Sequence, residues 1–481
     1  MKGQKRPRTI LFLIADTGAG HRSAANAIRA AIEEIEEQTS LHLPPSRRPP
    51  PTRVVIVDAF AECGRFPLRN GVFLYGPAIK YSPRLYGQIF RATNSSERFD
   101  TARRLAQPFL RQGLRRLIER IRPDVIVSIH PLLNHVTLSA LRDIGVRVPF
   151  VTVVTDLVSI HCAWLARGVD ACIVPTEEAR IAALGAGIAT SKVHLLGMPI
   201  SPAFAHPPDR DRSAVREQLG LDVNRPVILV VGGGEGAGGL YFAVEALAYA
   251  TLNAQLAIIT GRNKHLRAEL EARKTEFSTP AQIFGFVHNM PDFMRAADII
   301  VTKAGPGTIC EAFACGLPVV LTGAIPGQEE GNINWVLDHQ AGTIATTPED
   351  LVAAVRSLLD VHNPALAQMR ENALRLSYAH ASRAIASHIL SLVPPGRSAS
   401  AWRGHATRSH GARRPAIRQR PHIPVPQVSL MAVASLRRRK GSHGHRAGMR
   451  VPVNMGGTRV LGLANLGRVR ALLRGNHGEA I

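Results

Sequence analysis

The sequence predicts an α/β protein in which two doubly wound, Rossmann-like parallel sheets stand in tandem and face one cleft, followed by a disordered basic tail. Three observations point there. Short apolar runs alternate with helical patterns, the alternation occurs in two successive series, and glycine-rich turns follow strand ends in both. In the first series strands are predicted at 9–15, 54–58, 125–129, 150–154 and 171–174, alternating with helices that include 24–37 and 104–121. A proline-rich loop, LHLPPSRRPPPT at 41–52, lies within it. The second series runs through 227–231, 256–260, 282–284, 299–301 and 319–321, and helical patterns at 348–360 and 365–392 close the body. The four prolines of 197–208 mark the hinge between the halves. The expected divisions are thus a first domain over 1–197, a second domain over 198–375, a closing helix over 376–393 and the tail over 394–481.

Composition bounds the function. A hydrophobic content of 45% over 481 residues supports two cores. Five cysteines without CxxC spacing suggest neither a disulfide framework nor a zinc site, and buried free thiols in a reducing cytoplasm fit better. The basic start and the short apolar run at 10–15 do not make a signal peptide, and nothing approaches the roughly 20 apolar residues of a membrane span. The net charge of +23 is uneven, because the tail from Pro394 holds 17 of the 59 Lys+Arg residues and a single acid, Glu479. The body is therefore only mildly basic. The aperiodic tail is compatible with binding nucleic acid or acidic lipid and equally with a solvated extension, and no catalytic role is assigned to it.

The segment IIVTKAGPGTICEAFACGLPVVLTGAIPGQEEGN at 299–332 packs two strand-end loops and a helix start into one ligand-sized space. After the strand at 299–301, the turn containing Lys303, Gly305 and Gly307 leads to Thr308, which is expected to open a helix carrying Glu311. The loop bearing Gln328, Glu329 and Asn332 follows the next strand, and loops after parallel strands share one sheet edge. Helix amides favour an anion there, which reads as the sugar-nucleotide half of a glycosyltransferase. In VVGGGEGAGG at 230–239 the amides around Gly233 and Gly234 are placed to hold a diphosphate, although such turns recur in many nucleotide-binding folds. Arg262, Asn263 and Lys264 follow the next strand, where cations can neutralise a phosphate; an exposed surface role for Arg262 is the alternative.

In the first half, DTGAGHR at 16–22 joins a strand to a helix, and its Gly18 and Gly20 suit close approach of backbone to substrate. It sets His21 at the cleft mouth. A neutral imidazole with the ordinary pKa of about 6.5 can take a proton from an attacking alcohol; the alternative is a helix-capping or core histidine. Asp16 either orients His21 or caps the helix. His130 and Asp156 follow two further strands to the same edge, as acceptor contacts, a proton relay or structural hydrogen bonds, and His161 is a weaker candidate. No DxD motif follows a strand, so neither an essential divalent ion nor a cofactor is expected.

Residues 65–122 carry 13 basic residues and eight of the chain's 24 aromatics. Phe73, Tyr75, Tyr81, Tyr86 and Phe90 interleave with Lys80, Arg84 and Arg91, as on a peripheral surface resting on anionic lipid. A helical insertion with inward-packed rings is the competing reading, and RNA binding is a weaker third because no RNA-binding motif accompanies the patch.

Taken in order, DTGAGHR, VVTDL, GGGEGAGG, TGRN, GFV, KAGPGTICEA and IPGQEEGN resemble the monogalactosyldiacylglycerol synthase family and its bacterial diacylglycerol glucosyltransferase relatives, and more distantly the MurG-type transferases. The likeness runs from about Thr9 to Leu392. It implies a GT-B fold and an inverting transfer of hexose, galactose favoured over glucose, from a UDP-sugar to 1,2-diacylglycerol on the cytoplasmic side of the cell membrane. It also implies that Phe286 and Val287 meet the uracil, Glu311 the ribose, Gly307 and Thr308 the diphosphate, and Gln328 and Glu329 the sugar hydroxyls. His21 matches the proposed base and Asp156 a nearby acid. Cys162 stands where plant-like members have proline, leaving the role of that loop open. Other readings are a MurG-like N-acetylglucosaminyl transferase with a polyprenyl-linked acceptor, a UDP-sugar epimerase, and a non-catalytic lipid or nucleic-acid binder; no nucleic-acid partner is expected.

Overall fold

The computed structural model describes residues 7–17, 20–44, 48, 50–71, 75–206, 210–232 and 239–393. Gly18, Gly233, Gly234 and the tail from Pro394 lie outside them. Two six-stranded, all-parallel sheets form the frame. The first contains β1 (Thr9–Ile14), β2 (Arg53–Asp58), β3 (Val125–Ser128), β4 (Phe150–Val153), β5 (Ala171–Val174) and β6 (Val193–Leu195) in the order β2-β1-β3-β4-β5-β6. The second contains β7 (Val227–Val231), β8 (Gln255–Ile259), β9 (Ala281–Phe284), β10 (Ile299–Thr302), β11 (Val319–Leu321) and β12 (Gly342–Ile344) in the order β12-β11-β10-β7-β8-β9. Strand order reverses between β1 and β3 and again between β7 and β10. Ligands of open α/β sheets bind in the crevices outside such points.

Both faces of each sheet are covered, which is why strands such as Thr9–Ile14 and Val227–Val231 are apolar throughout rather than alternating. Leu11 and Leu13 look into one core of the first sheet, Ile10, Phe12 and Ile14 into the other. That second core is closed from far along the chain: Ala381, Ile385 and Ile389 of helix Ala381–Ser391 pack beside Ala24, Ile28 and Ile32 of helix Gly20–Leu41. The pattern predicted at 365–392 is two helices, because Ala365–Leu376 stops at Ser377 and stays with the second sheet while the next helix returns to the first. The predicted helix at 104–121 is likewise divided, since Pro108 lacks an amide proton and starts a new helix, Pro108–Ile121, after Ser96–Ala106. The helix carrying Glu311 opens at Pro306, two residues before the predicted Thr308.

Between β2 and β3 the crossover is expanded, with six helices among the described residues of 59–121. One of them, Pro83–Thr93, lies against the 326–330 segment of the second half. A Cβ on Gly87 would come within 2.6 Å of the Pro326 side chain, so this contact needs glycine. Arg91 reaches Glu330 at 3.2 Å across the same seam. No described helix is long and apolar enough to cross a membrane.

Candidate active site

The loops after β1, β3 and β4 meet where the first sheet reverses. His21, second residue of helix Gly20–Leu41, has its Nδ1 3.4 Å from Thr155 Oγ1 and its ring centre 4.9 Å from that of His130. Burial lowers its pKa to about 4, against a hydrogen bond to the Ile129 backbone and the charge of Asp16, so the imidazole is neutral at physiological pH. The unshifted value near 6.5 expected from the free side chain does not survive this setting. The Asp16 carboxylate accepts both guanidinium bonds of Arg22, at 2.7 and 2.6 Å, so Asp16 acts on the His21 ring through its charge. The Ile129 backbone, not Asp16, holds the ring by a hydrogen bond. His130 is buried, its ring against Phe60 and His21, and its Nδ1 has no hydrogen-bond partner among the described residues.

Asp156 is buried and accepts from Trp164 Nε1 at 2.7 Å and from Gln328 Nε2 at 3.2 Å. Burial raises its pKa to about 6 despite those two bonds, with Glu329 adding to the rise. Gln328 belongs to the second half, and its Oε1 accepts from Tyr86 OH at 2.9 Å on helix Pro83–Thr93. One amide thus bridges both lobes. His161 is spent locally: Nδ1 accepts from Ala163 N at 3.1 Å, which leaves Nε2 to donate to Thr93 Oγ1 at 3.2 Å. Cys162, beside it, holds its amide on Asn94 Oδ1 at 2.8 Å.

A cavity of about 500 Å³ connects these groups. His21, His130, Asp156 and Gln328 form its polar end, and Phe60, Phe90, Phe99, Leu110 and Val136 belong to its apolar wall. Ile89 and Leu132 line it too and are 54% and 50% exposed, so its apolar side opens to solvent. The aromatics of the insertion divide accordingly. Tyr86, Phe90 and Phe99 turn inward, while Phe66 and Tyr81 are exposed.

The remaining predicted residues gather at the corresponding edge of the second sheet. The Arg262 guanidinium stands 5.1 Å from the centre of the half-exposed Phe286 ring, and Val287 packs into the core beneath. Asn263 caps helix Lys264–Arg273, accepting from Leu266 N at 3.0 Å. Lys303 pairs with the buried Glu329, which also accepts from Ile325 N at 2.9 Å. Asn332 donates to the Ala304 carbonyl at 2.9 Å, and its buried Oδ1 has no partner among the described residues. Gly305 precedes helix Pro306–Ala314, Pro306 has no amide proton, and Ile309 is bonded back to Gly305 at 3.1 Å. The amides of Gly307 and Thr308 therefore precede the helical ladder and are free to meet an anion. Burial pushes the Glu311 carboxyl up to about 7, with no described cation beside it. Gly20 is exposed at the start of its helix.

The chain matches the family model for monogalactosyldiacylglycerol (MGDG) synthase over residues 21–200 and that for the glycosyltransferase family 28 C-terminal domain over 227–384. It is 35% identical to monogalactosyldiacylglycerol synthase 1 of Arabidopsis thaliana over 386 residues, covering 77% of this chain and 68% of that one. The chain belongs to the monogalactosyldiacylglycerol synthase family. Another member, from Spinacia oleracea, is 33% identical over 77% of this chain and 69% of its own. The GT-B architecture of this synthase-family chain is shared with MurG of Acinetobacter baumannii, at 15% identity and a TM-score of 0.51 over 80% of this chain and all of that one. The glycotransferase of kitacinnamycin has the same TM-score at 18% identity, covering 81% of this chain and 100% of its own.

Two groups of this synthase-family site were missed in the sequence. Trp164 is fully buried and fixes Asp156, and Tyr86 was legible only as one ring of an aromatic patch. Neither had a local signal, because the partner of each is set by tertiary packing.

Proposed function

We propose that this chain transfers a hexose, galactose before glucose, from a UDP-sugar to the free hydroxyl of 1,2-diacylglycerol with inversion at the anomeric carbon. One observation carries the reading: a neutral imidazole and a buried carboxyl form the polar end of an apolar cavity that opens at half-exposed Ile89 and Leu132. An acceptor that is mostly hydrocarbon with a single hydroxyl matches that amphipathic shape. The hydroxyl oxygen attacks the anomeric carbon, the bond from that carbon to the diphosphate breaks, UDP leaves, and His21 takes the hydroxyl proton. Asp156, ionised, stabilises the imidazolium so formed, with His130 beside it contacting the acceptor.

The departing diphosphate meets the Gly307 and Thr308 amides, the Gly233–Gly234 turn and Arg262, as charge develops. Phe286 and Val287 hold the uracil and Glu311 the ribose. Gln328, Glu329 and Asn332 position the hexose, with Lys303 fixing Glu329, and the glycines at 18 and 20 of the sequence are assigned to the sugar's first-lobe side. Asn263 contributes by starting the helix beside Arg262. Exposed Phe66, Tyr81 and Leu85 with exposed Arg69, Arg84 and Arg98 rest this lobe on the anionic cytoplasmic face of the membrane. Incubating the protein with diacylglycerol vesicles and each UDP-hexose in turn, then identifying the lipid, tests the reading: a monohexosyl diacylglycerol supports it, and no glycolipid from any UDP-hexose refutes it.

The pH profile is a separate check. Burial holds Asp156 near 6 and His21 near 4 in the free protein. Both groups must be deprotonated, so kcat/KM is expected to rise with pH through an apparent pKa of about 6 and then level. Asp156→Asn should lower the plateau and move the acid limb down toward that of His21. A limb that stays near 6 in this variant would assign it elsewhere.

A further inference from the structure

The loop that carries Gln328 is built against the first lobe on both sides of that residue. On one side Gly327, at φ 79°, lies so near helix Pro83–Thr93 that a Cβ there would come within 3.1 Å of the Phe90 ring and 3.2 Å of the Gly87 carbonyl oxygen. On the other, a Cβ on Gly331 would meet Ser159 Oγ at 2.6 Å. Between them stands an amide whose two ends differ in chemistry, so its partners decide which way it points. Ionised Asp156 can only accept, which turns Nε2 to its Oδ1 at 3.2 Å and leaves Oε1 to accept from Tyr86 OH at 2.9 Å, from a residue 242 positions earlier. Trp164 Nε1 takes the other carboxylate oxygen. Donation into the amide carbonyl polarises the amide and strengthens the bond that its nitrogen gives to Asp156.

Resting on the function proposed above, we infer that Tyr86 is a positioning residue of the sugar site: its hydroxyl, supplied by the first lobe, fixes the Gln328 amide toward both the hexose and Asp156. It acts through Gln328. Glu329, paired with Lys303, faces Asp156 from the same loop and raises its pKa. The other ionisable groups lining the cavity are His21, His130 and His161, which burial keeps neutral at physiological pH, and Arg103, paired with Asp100 at 2.8 Å. The Gln328 bond opposes Glu329 and lowers the Asp156 pKa, so a weaker bond lifts it.

The test uses the full chain with Tyr86→Phe, which keeps the ring and removes the hydroxyl, assayed on diacylglycerol vesicles with the UDP-hexose that the wild type uses. The expected result is a kcat/KM lower by about three- to ten-fold, an unchanged affinity for UDP, and an acid limb of kcat/KM moved up from the wild-type value of about 6. In a Gln328→Ala background the same substitution should change kcat/KM by less than about two-fold and leave the limb unmoved. A Tyr86→Phe protein indistinguishable from wild type would overturn the role, as would a loss that adds in full to that of Gln328→Ala or one matched by a fall in UDP affinity. A loss with an unmoved limb and a lowered Tm would make Tyr86 a packing residue instead. The ratio of UDP-hexose to UDP affinity, measured without acceptor, repeats the comparison independently of turnover. Tyr86→Phe should lower that ratio in the wild type and not in Gln328→Ala; a ratio it leaves unchanged in the wild type contradicts the role. A protein that makes no glycolipid but shows this response keeps the positioning role and rejects the transferase reading, whereas an active wild type with an indifferent Tyr86→Phe rejects the role alone.

Discussion

Replacing His21 with Ala is expected to lower kcat by about 10²–10⁴-fold while leaving UDP affinity within a few-fold of wild type. The reason lies in where the ring sits. It belongs to the first lobe's switch-point edge, beside Thr155 and His130, whereas the groups proposed to hold the nucleotide belong to the second sheet. Removing the imidazole leaves Arg262, Phe286 and the Pro306–Ala314 helix start in place. Single-turnover assays with and without lipid, beside equilibrium UDP binding, separate the two effects. Unchanged turnover would mean that the acceptor proton leaves by another route, and a loss of UDP binding to match the loss of rate would make His21 structural.

Asp298→Ala should destabilise the protein by about 3 kcal/mol, at the lower end of what breaking a buried ion pair costs. Asp298 stands at the start of β10 with a side chain 14% exposed, and it accepts from Arg216 at 2.7 Å, Arg212 at 2.8 Å, Arg370 at 2.9 Å and the Val227 amide at 2.8 Å. It ties helices Arg212–Gln218 and Ala365–Leu376 to the centre of the second sheet. Without it three guanidiniums face one another. Arg212 and Arg370 are partly exposed and can turn to water, which keeps the loss near the lower bound. Burial acts to raise the Asp298 pKa, but Arg212, the Val227 amide, Arg216 and Arg370 outweigh it and hold the carboxyl below its usual 3.8. The stabilisation is therefore complete above the unfolded-state value and is lost as pH falls through the folded-state one. Thermal unfolding should show a lower Tm for the variant at pH 7 and a narrowing difference below about pH 4. An equal Tm at pH 7 would show that the arginines are held by other contacts.

Most of the frame was legible because buried parallel strands are short apolar runs ended by glycine or a polar turn, as at Val227–Val231 followed by Gly232. The strands that escaped were two of the four edge strands, β6 and β12, whose three residues each are largely half-buried and too short to show a pattern. Helix continuity was misjudged where a cap lies inside a favourable composition, as at Pro108 and at Ser377–His380. The return of helix Ala381–Ser391 to the first sheet could not be read, since an amphipathic pattern names a buried face but not its partner.

The site divides in the same way. Strand-end position alone brings His21, His130 and Asp156 to one edge, and the rule that parallel strands share a loop edge is enough to expect it. Pairing is different. Asp156 and Gln328 are 172 residues apart, and the lowered pKa of His21 comes from burial that no local pattern carries. Asp16, nearest in sequence, was the natural candidate to orient His21, yet Arg22 claims it.

Direct displacement at the anomeric carbon, with His21 taking the proton and no enzyme nucleophile, requires one stereochemical outcome. Proton NMR of the glycolipid formed from UDP-α-galactose and diacylglycerol should show a single β-anomeric signal with its large coupling constant. An α-linked product, or a galactosylated protein trapped by rapid quenching, would contradict the mechanism.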